Sequence, residues 1–354
     1  MPRNEEHRPA TVALAGYEPN DITKGHCGPA APYLEEGPHV STAETASVTI
    51  RELRESDLSQ ADRILRLAFG THLGLLNPAE FMGDGDYVRT RWAADPSAAL
   101  AAEVDGKLVG SNFMTRWGTV GFFGPLSVTP DMWNSGVARA LLTETMVIFD
   151  RWGVRHRGLF TFGESPKHVA LYQSYGFLPR FLTPVLSKEA SSRSADWTTY
   201  SAETDQPASL SAAAAVTGSI FEGLDVRREI EAVHAQHLGD TVLIADGDEL
   251  VAFGVCHVGA GSEAGSGSCY VKFGAARAGE SAAGAFSRLL DACESFAVQQ
   301  GASTIVAGVS SGRRSAYSQL LARGYRANLI GVTMHLPDVD AYHYPEAYVI
   351  DDWR

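Results

Sequence analysis

The chain has 354 residues, 45% of them hydrophobic and 20% charged, and carries a formal net charge of -13. That length exceeds what one compact core usually holds, and the ordinary hydrophobic share predicts globular domains rather than a disordered or fibrous chain. The acidic balance argues against nucleic acid or an anionic membrane as a partner. It suits a cationic amine substrate, although solubility alone explains it equally.

Residues 1–46 show no sustained period, carry scattered Pro and Glu, and lack the apolar segment of a secretory signal. They are expected to form an extension, partly disordered or wrapped over the surface. No apolar run approaches the roughly 18 residues of a membrane span, so no membrane partner is expected. The four cysteines (Cys27, Cys256, Cys269 and Cys293) have the spacing of neither a zinc site nor a disulfide framework. The expectation is a cytoplasmic protein with free thiols and no metal, with Cys256 and Cys269 as small core residues. Alternation over 47–53 predicts a first strand. Asp57 opens a helix to about Phe69, with Leu58, Ala61, Ile64, Leu65 and Ala68 at helical spacing. A helical stretch follows at Tyr87–Ala94. Ala99–Val104 and 107–115 flank Asp105-Gly106 as a hairpin, and 119–128 reads as the next strand.

Thr129-Pro130 ends that strand, a short polar turn carries Gly136 and Ala138, and a helix begins with Leu141, Leu142, Thr145, Val147, Ile148 and Phe149 at its apolar positions. Small residues at a strand-to-helix turn let the backbone approach a ligand, and the unpaired N–H groups at a helix start favour an anion, most often phosphate. Residues 158–162 form another apolar strand. Ser165 then stands as an N-cap and Pro166 as the first helical residue. The helix closes in Leu171-Tyr172-Gln173-Ser174-Tyr175-Gly176-Phe177, with Gly176 as C-terminal cap, and a strand follows over 180–186.

In this order and spacing the two motifs resemble the GNAT superfamily of N-acetyltransferases. Trp133-Asn134-Ser135-Gly136-Val137-Ala138 matches the family's pyrophosphate loop, Gln/Arg-x-x-Gly-x-Gly/Ala, and Leu171 to Phe177 matches its Leu-Tyr-x-x-x-Gly-Phe helix end. Trp133 departs from the pattern, which touches one side-chain contact and leaves the backbone cradle intact. The resemblance implies an α/β fold with a mixed central sheet flanked by helices. A parallel strand pair would splay apart at Val128 and Phe162, and acetyl-CoA or another acyl-CoA would be the co-substrate. Backbone groups of Leu126, Ser127 and Val128 would pair with the pantetheine arm. The N–H groups of Asn134, Ser135, Gly136, Val137, Ala138 and Arg139 would hold the pyrophosphate, and the Arg139 side chain would add charge. Ser165 stands where the family often has Asn and is expected beside the pantetheine. Tyr172 is the expected general acid toward the departing thiolate. Glu164 is the candidate general base, with His168 and a water relay as alternatives. Trp92, Phe81, Trp117, Phe122 and Phe123 are expected either to line the acceptor site or to be core.

Residues 189–210, rich in Ser, Ala, Asp and Thr, read as a linker, after which the pattern repeats. Strands at 241–245 and 250–257 flank Asp246-Gly247-Asp248, followed by a strand at 268–275, a helix at 284–299, a strand at Thr304–Gly308, a helix at 315–323 and a strand at 329–336. This predicts an internal duplication: two tandem GNAT-like domains, 47–188 and 211–336, with a tail over 337–354. Aligning Leu141-Leu142 with Leu289-Leu290 sets Gly136 opposite Gly284, Ala138 opposite Phe286 and Tyr172 opposite Leu320. A phenylalanine obstructs a pyrophosphate and a leucine moves no proton. The first half is therefore expected to bind the acyl-CoA, and the second to be structural or to close the acceptor pocket. The tail, with Tyr342, Tyr344, Tyr348 and Trp353, is expected to dock along a domain surface, either near the acceptor cleft or, the preferred reading, as simple packing on the C-terminal domain. The expected activity is acetyl transfer to the primary amine of a small molecule by a monomer or homodimer. Two readings stay beside it: an acyl-CoA-binding sensor without turnover, and transfer of another acyl or aminoacyl group.

Overall fold

Beginning at residue 47, β1 (Thr49–Glu52) leads into α1 (Leu58–His72), which buries Leu58, Ala61, Ile64, Leu65 and Ala68 at the predicted spacing. The computed structural model describes residues 47–354; the extension expected over 1–46, with Cys27, lies outside the described residues. Asp86 caps α2 (Tyr87–Ala94) by accepting from the Arg89 N–H. The hairpin of β2 (Ala99–Val104) and β3 (Lys107–Trp117) turns at Asp105 and Gly106, both at positive φ as a tight hairpin requires. The strand expected over 119–128 is two strands, β4 (Val120–Phe123) and β5 (Ser127–Val128). Gly124 separates them at φ 139, a conformation that favours glycine. Then follow α3 (Val137–Arg151), β6 (His156–Thr161), α4 (Pro166–Gln173) and β7 (Leu178–Glu189). Of the apolar positions expected in α3, Val147 is exposed.

The second half runs β8 (Thr198–Thr199), α5 (Gln206–Ile220), α6 (Arg227–Ala235), β9 (Gly239–Asp246), β10 (Glu249–Gly259), β11 (Gly265–Ala276), α7 (Ala282–Gln299), β12 (Thr304–Gly308), α8 (Arg314–Ala322), β13 (Arg326–Leu336) and β14 (Val349–Ile350). The stretch expected as a linker is tied to this half. Trp197 packs on its core, β8 pairs with β9, and the Arg193 N–H donates to Ser295 at 2.9 Å.

All fourteen strands join one mixed sheet with the order β1-β2-β3-β4-β6-β13-β7-β12-β11-β10-β9-β8; β5 adds to β3 and β14 to β11. Each half contains one parallel pair, β4 with β6 and β11 with β12. The last strands are exchanged. β7 follows α4 but pairs with β12 and β13, whereas β13 returns across the molecule to pair with β6. The sequence division between 188 and 211 is therefore not a division of the sheet. An exchange of this kind leaves neither half with an unpaired inner edge. Trp117, Phe122 and Phe273, from different halves, meet in one core cluster.

The tail does both things expected of it, packing on the C-terminal core and reaching the cavity of the first half. Trp353 is buried and stacks on Phe122 of β4, with its indole N–H donated to the Tyr342 hydroxyl at 2.8 Å. Gly158 in β6 makes room for this ring, since a Cβ there would overlap it. Gly158→Ala is expected to cost about 1–3 kcal/mol, as overpacking does. Urea unfolding measures this, and an unchanged midpoint would show that the ring is not seated there. Cys256, Cys269 and Cys293 are buried together as free thiols in the C-terminal core. Among the described residues no helix is long and apolar enough to cross a membrane.

Candidate functional site

β4 and β6 stay in register from Val120 and His156 to Phe123 and Leu159, and then part. The first strand breaks at Gly124 and re-forms as β5 against Gly110 and Ser111 of β3, while β6 runs on to Thr161. The gap opens into a cavity of about 870 Å³, walled by Leu126 and Val128 on one side and Thr161 and Phe162 on the other. That volume suits a small-molecule site. The Ser127 side chain turns away from it and sits 3.2 Å from the Ser111 hydroxyl inside the protein.

At the far side of β5 the chain enters α3 through Asn134 at φ 68 and Gly136 at φ 91. A Cβ built on Gly136 meets nothing within 4 Å, so the glycine is required for its backbone angle and the space beside it is open. The first backbone bond of α3 runs from the Ala140 N–H to the Gly136 carbonyl at 3.1 Å. The N–H groups of Val137, Ala138 and Arg139 precede any intrahelical acceptor. They sit at the positive end of a 15-residue helix, and these residues line the cavity together with Asn134 and Gly136. This meets what a diphosphate needs. Ser135 is the member of the loop that does not line the cavity: it is exposed, with its hydroxyl on the Met132 carbonyl at 2.6 Å. The Arg139 guanidinium reaches the cavity wall and donates to the Ser174 hydroxyl at 3.1 Å.

Trp133, the departure from the family pattern, has a local role. Its indole N–H donates to the Val128 carbonyl at 2.8 Å, and the Lys167 ammonium lies 5.8 Å over its ring. Trp133 and Lys167 thus connect the two lips of the cavity, from the α3 loop to the first turn of α4. One carbonyl expected to serve a pantetheine arm is engaged by this chain itself.

The opposite wall is α4. Ser165 is its N-cap residue, makes no side-chain capping bond, and lines the cavity. His168 and Tyr172, one turn apart, share the helix face that looks into it. Tyr172 is buried against Phe123 at 5.7 Å between rings. Burial pushes its hydroxyl up to about 12, while its polar neighbour Thr161 pulls slightly the other way. His168 faces His72, from the last turn of α1, at 4.9 Å between rings. Burial first, then the nearby His72 and Lys167, hold the His168 ring below its ordinary value. Glu164 lies exposed in the turn before α4 and outside the cavity wall.

Of the aromatic candidates, Phe81 and Phe123 line the cavity. Trp92 instead donates to the Leu53 carbonyl at 2.8 Å, and Trp117 and Phe122 are core. His72, Phe160, Trp353 and Arg354 also line the cavity. His72 comes from the end of α1 and Phe160 from β6, and the returning tail brings Trp353 and Arg354 there.

The corresponding gap of the second half is closed. β11 and β12 pair from Ser268 and Thr304 to Val271 and Ala307, and beyond that point β14 lies against Gly274 and Ala275. Phe286 is buried with its ring 5.5 Å from Tyr348, and Leu320 is buried in the core. Gly284 lies inside α7 rather than at a turn before it. The chain's own tail thus fills this gap.

Residues 66–177 match the model of the acetyltransferase (GNAT) family. No curated protein matches the chain. Among solved structures, the fold is similar to that of a Pyrococcus horikoshii protein assigned as an acetyltransferase, with a TM-score of 0.64 and 14% identity over 89% of this chain and 98% of that one. It is also similar to a GCN5-related N-acetyltransferase from Sphaerobacter thermophilus, with a TM-score of 0.56 and 15% identity over 81% of this chain and 95% of that one. At such identities the likeness is one of fold, and it extends through both halves.

Proposed function

Since residues 66–177 match the acetyltransferase (GNAT) family model and the fold is similar to that of a solved protein assigned as an acetyltransferase, we propose that the chain is an acetyl-CoA-dependent N-acetyltransferase working in its N-terminal half on a small primary amine. The observation that carries this reading is one cavity shared by the free N–H groups of α3, the gap between β4 and β6, and the Tyr172 side chain.

Transfer forms a C–N bond, breaks a C–S bond and moves one proton from the amine to the departing thiolate. In this reading the α3 N–H groups hold the diphosphate and so fix the thioester in the gap. The Tyr172 hydroxyl stays protonated across the neutral range and donates toward the sulfur. The same dry surroundings that raise its proton affinity also raise that of a thiolate placed beside it, which keeps the transfer possible. The His72–His168 pair replaces Glu164 as the proton acceptor for the amine, being the pair that faces the cavity. With its pKa held below 6.5, His168 is neutral and able to accept a proton at pH 7. A base of depressed pKa works above that value and fails as pH falls through it. The acid limb of kcat/KM is therefore expected below pH 6.5. His168→Gln is expected to lower kcat/KM by about 100-fold and to abolish that limb. A pH–rate profile decides, and a limb that survives in the variant assigns the proton elsewhere.

Calorimetric titration with acetyl-CoA, followed by a thiol-release assay over an amine panel, tests the reading as a whole. Binding with no release for any amine would favour the sensor reading. The specific observation behind that alternative is the Val128 carbonyl already bonded to Trp133.

A further inference from the structure

We propose that the acceptor is a monoamine with an aromatic body, with or without a carboxylate, and that the cavity excludes diamines and polyamines. This rests on the acetyl-transfer reading and names its substrate class. The acceptor end of the cavity is walled by rings: Phe69 and Phe81 stack at 5.6 Å with an 11° interplanar angle, and Phe162 lies 6.2 Å from Phe69. Flat apolar groups pack well against such walls. No Asp or Glu is among the described residues that line the cavity, whereas Arg139, Lys167 and Arg354 are. The chain's net charge of -13 therefore lies outside its own site.

Glu164 stays in solvent outside the wall, and two acids at the Arg354 end are already engaged. Glu263 lines an adjoining pocket of about 190 Å³, where its Oε1 accepts from Arg91 at 2.9 Å and Lys272 at 2.8 Å and its Oε2 from Arg91 at 3.0 Å. Asp352 accepts from the Tyr270 hydroxyl at 3.0 Å and faces the Arg354 Nε at 3.2 Å. Arg354 itself lies over the Tyr270 ring at 4.1 Å. Its side chain is 21% exposed, toward both cavities. A second ammonium entering this end would lose water, find no Asp or Glu side chain among the described residues of the wall and meet a fixed guanidinium. A carboxylate there would meet a donor.

The test compares 2-phenylethylamine, phenylalanine, 1,4-diaminobutane and spermidine in thiol release by the full chain at saturating acetyl-CoA. kcat/KM for 2-phenylethylamine is expected to exceed that for either polyamine by about tenfold or more; a polyamine preferred over it overturns the inference. Phe81→Asp, which puts a carboxylate into the wall, is expected to shift the ratio toward 1,4-diaminobutane by about tenfold. An unchanged ratio also counts against it. Calorimetric binding of the same amines to the protein loaded with coenzyme A separates this inference from the transfer reading. Absence of thiol release with every amine overturns transfer alone. Binding of 2-phenylethylamine without spermidine still supports the inference, and spermidine binding, or no amine binding, overturns it.

Discussion

Replacing Tyr172 by Phe is expected to cut turnover by about 100- to 10,000-fold while leaving acetyl-CoA affinity nearly unchanged. The ring keeps its packing against Phe123 and its place in the cluster under α4, so the fold has no reason to respond. The proposed phosphate contacts lie at the start of α3 and do not involve this hydroxyl. What disappears is the Tyr172 hydroxyl, a proton donor on α4 that remains un-ionised through the working range and lines the gap. Thiol release with the best amine of the panel reads turnover, and calorimetry with acetyl-CoA reads affinity. Full turnover in the variant would remove Tyr172 from the chemistry and leave water as the proton source.

Local signals carried much of this site. The α3 loop and the end of α4 each lie within a few residues of sequence, and their chemistry (a glycine angle, unpaired N–H groups, a helix-face tyrosine) is set by near neighbours. The duplication was legible for the same reason: Phe286 and Leu320 stand where the first half has Ala138 and Tyr172, and both are buried. Pairings between remote segments were not legible. Alternation predicted β7 and β13 as strands, but period-2 patterning says nothing about which neighbour a strand takes, so their exchange between halves was invisible. The same applies to β14, a two-residue strand that fills the second gap, and to His72, Trp353 and Arg354, which reach the cavity through tertiary contacts. Glu164 is the instructive case. It stands at the right place along the chain, yet the turn before α4 leaves it in solvent, while His168, one turn above Tyr172 on the same face, points inward. The periodicity of α4 contained that distinction. Trp133 shows the reverse: a residue unlike the family's finds its partner five positions back, at the Val128 carbonyl.

Glu263→Gln is expected to destabilise the fold by about 3–5 kcal/mol, the range for breaking a buried ion pair from one side. The Glu263 side chain is fully buried between Arg91, from α2 in the first half, and Lys272, on β11 in the second. Lys272 also meets Glu229 at 2.8 Å, so two buried cations are balanced by two buried anions. Removing one anion leaves a cation without a counter-charge. The double variant Arg91→Met, Glu263→Gln keeps the Lys272–Glu229 pair and is therefore expected to cost less than Glu263→Gln alone. Urea unfolding at pH 7 measures both, and simple additivity of the two single losses would show that no such balance exists. The pH dependence has a definite sign. Glu263 is held well below the ordinary carboxyl range; burial opposes this, but Arg91 and Lys272 outweigh it. Its contribution is therefore complete above about pH 4.5 and is lost as pH falls toward the folded value. Burial pushes His156 down to about 4 and His335 to about 3, so these rings begin to withdraw stability earlier, as pH falls below 6.5. Acid unfolding should start with the histidines beneath Trp353, and Glu263→Gln should remove only its lower part. The consequence reaches the site, because Arg91 also donates to the carbonyl of Gly124, where β4 leaves β6. The charge pair that joins the halves thus holds one lip of the gap in which the thioester is proposed to lie.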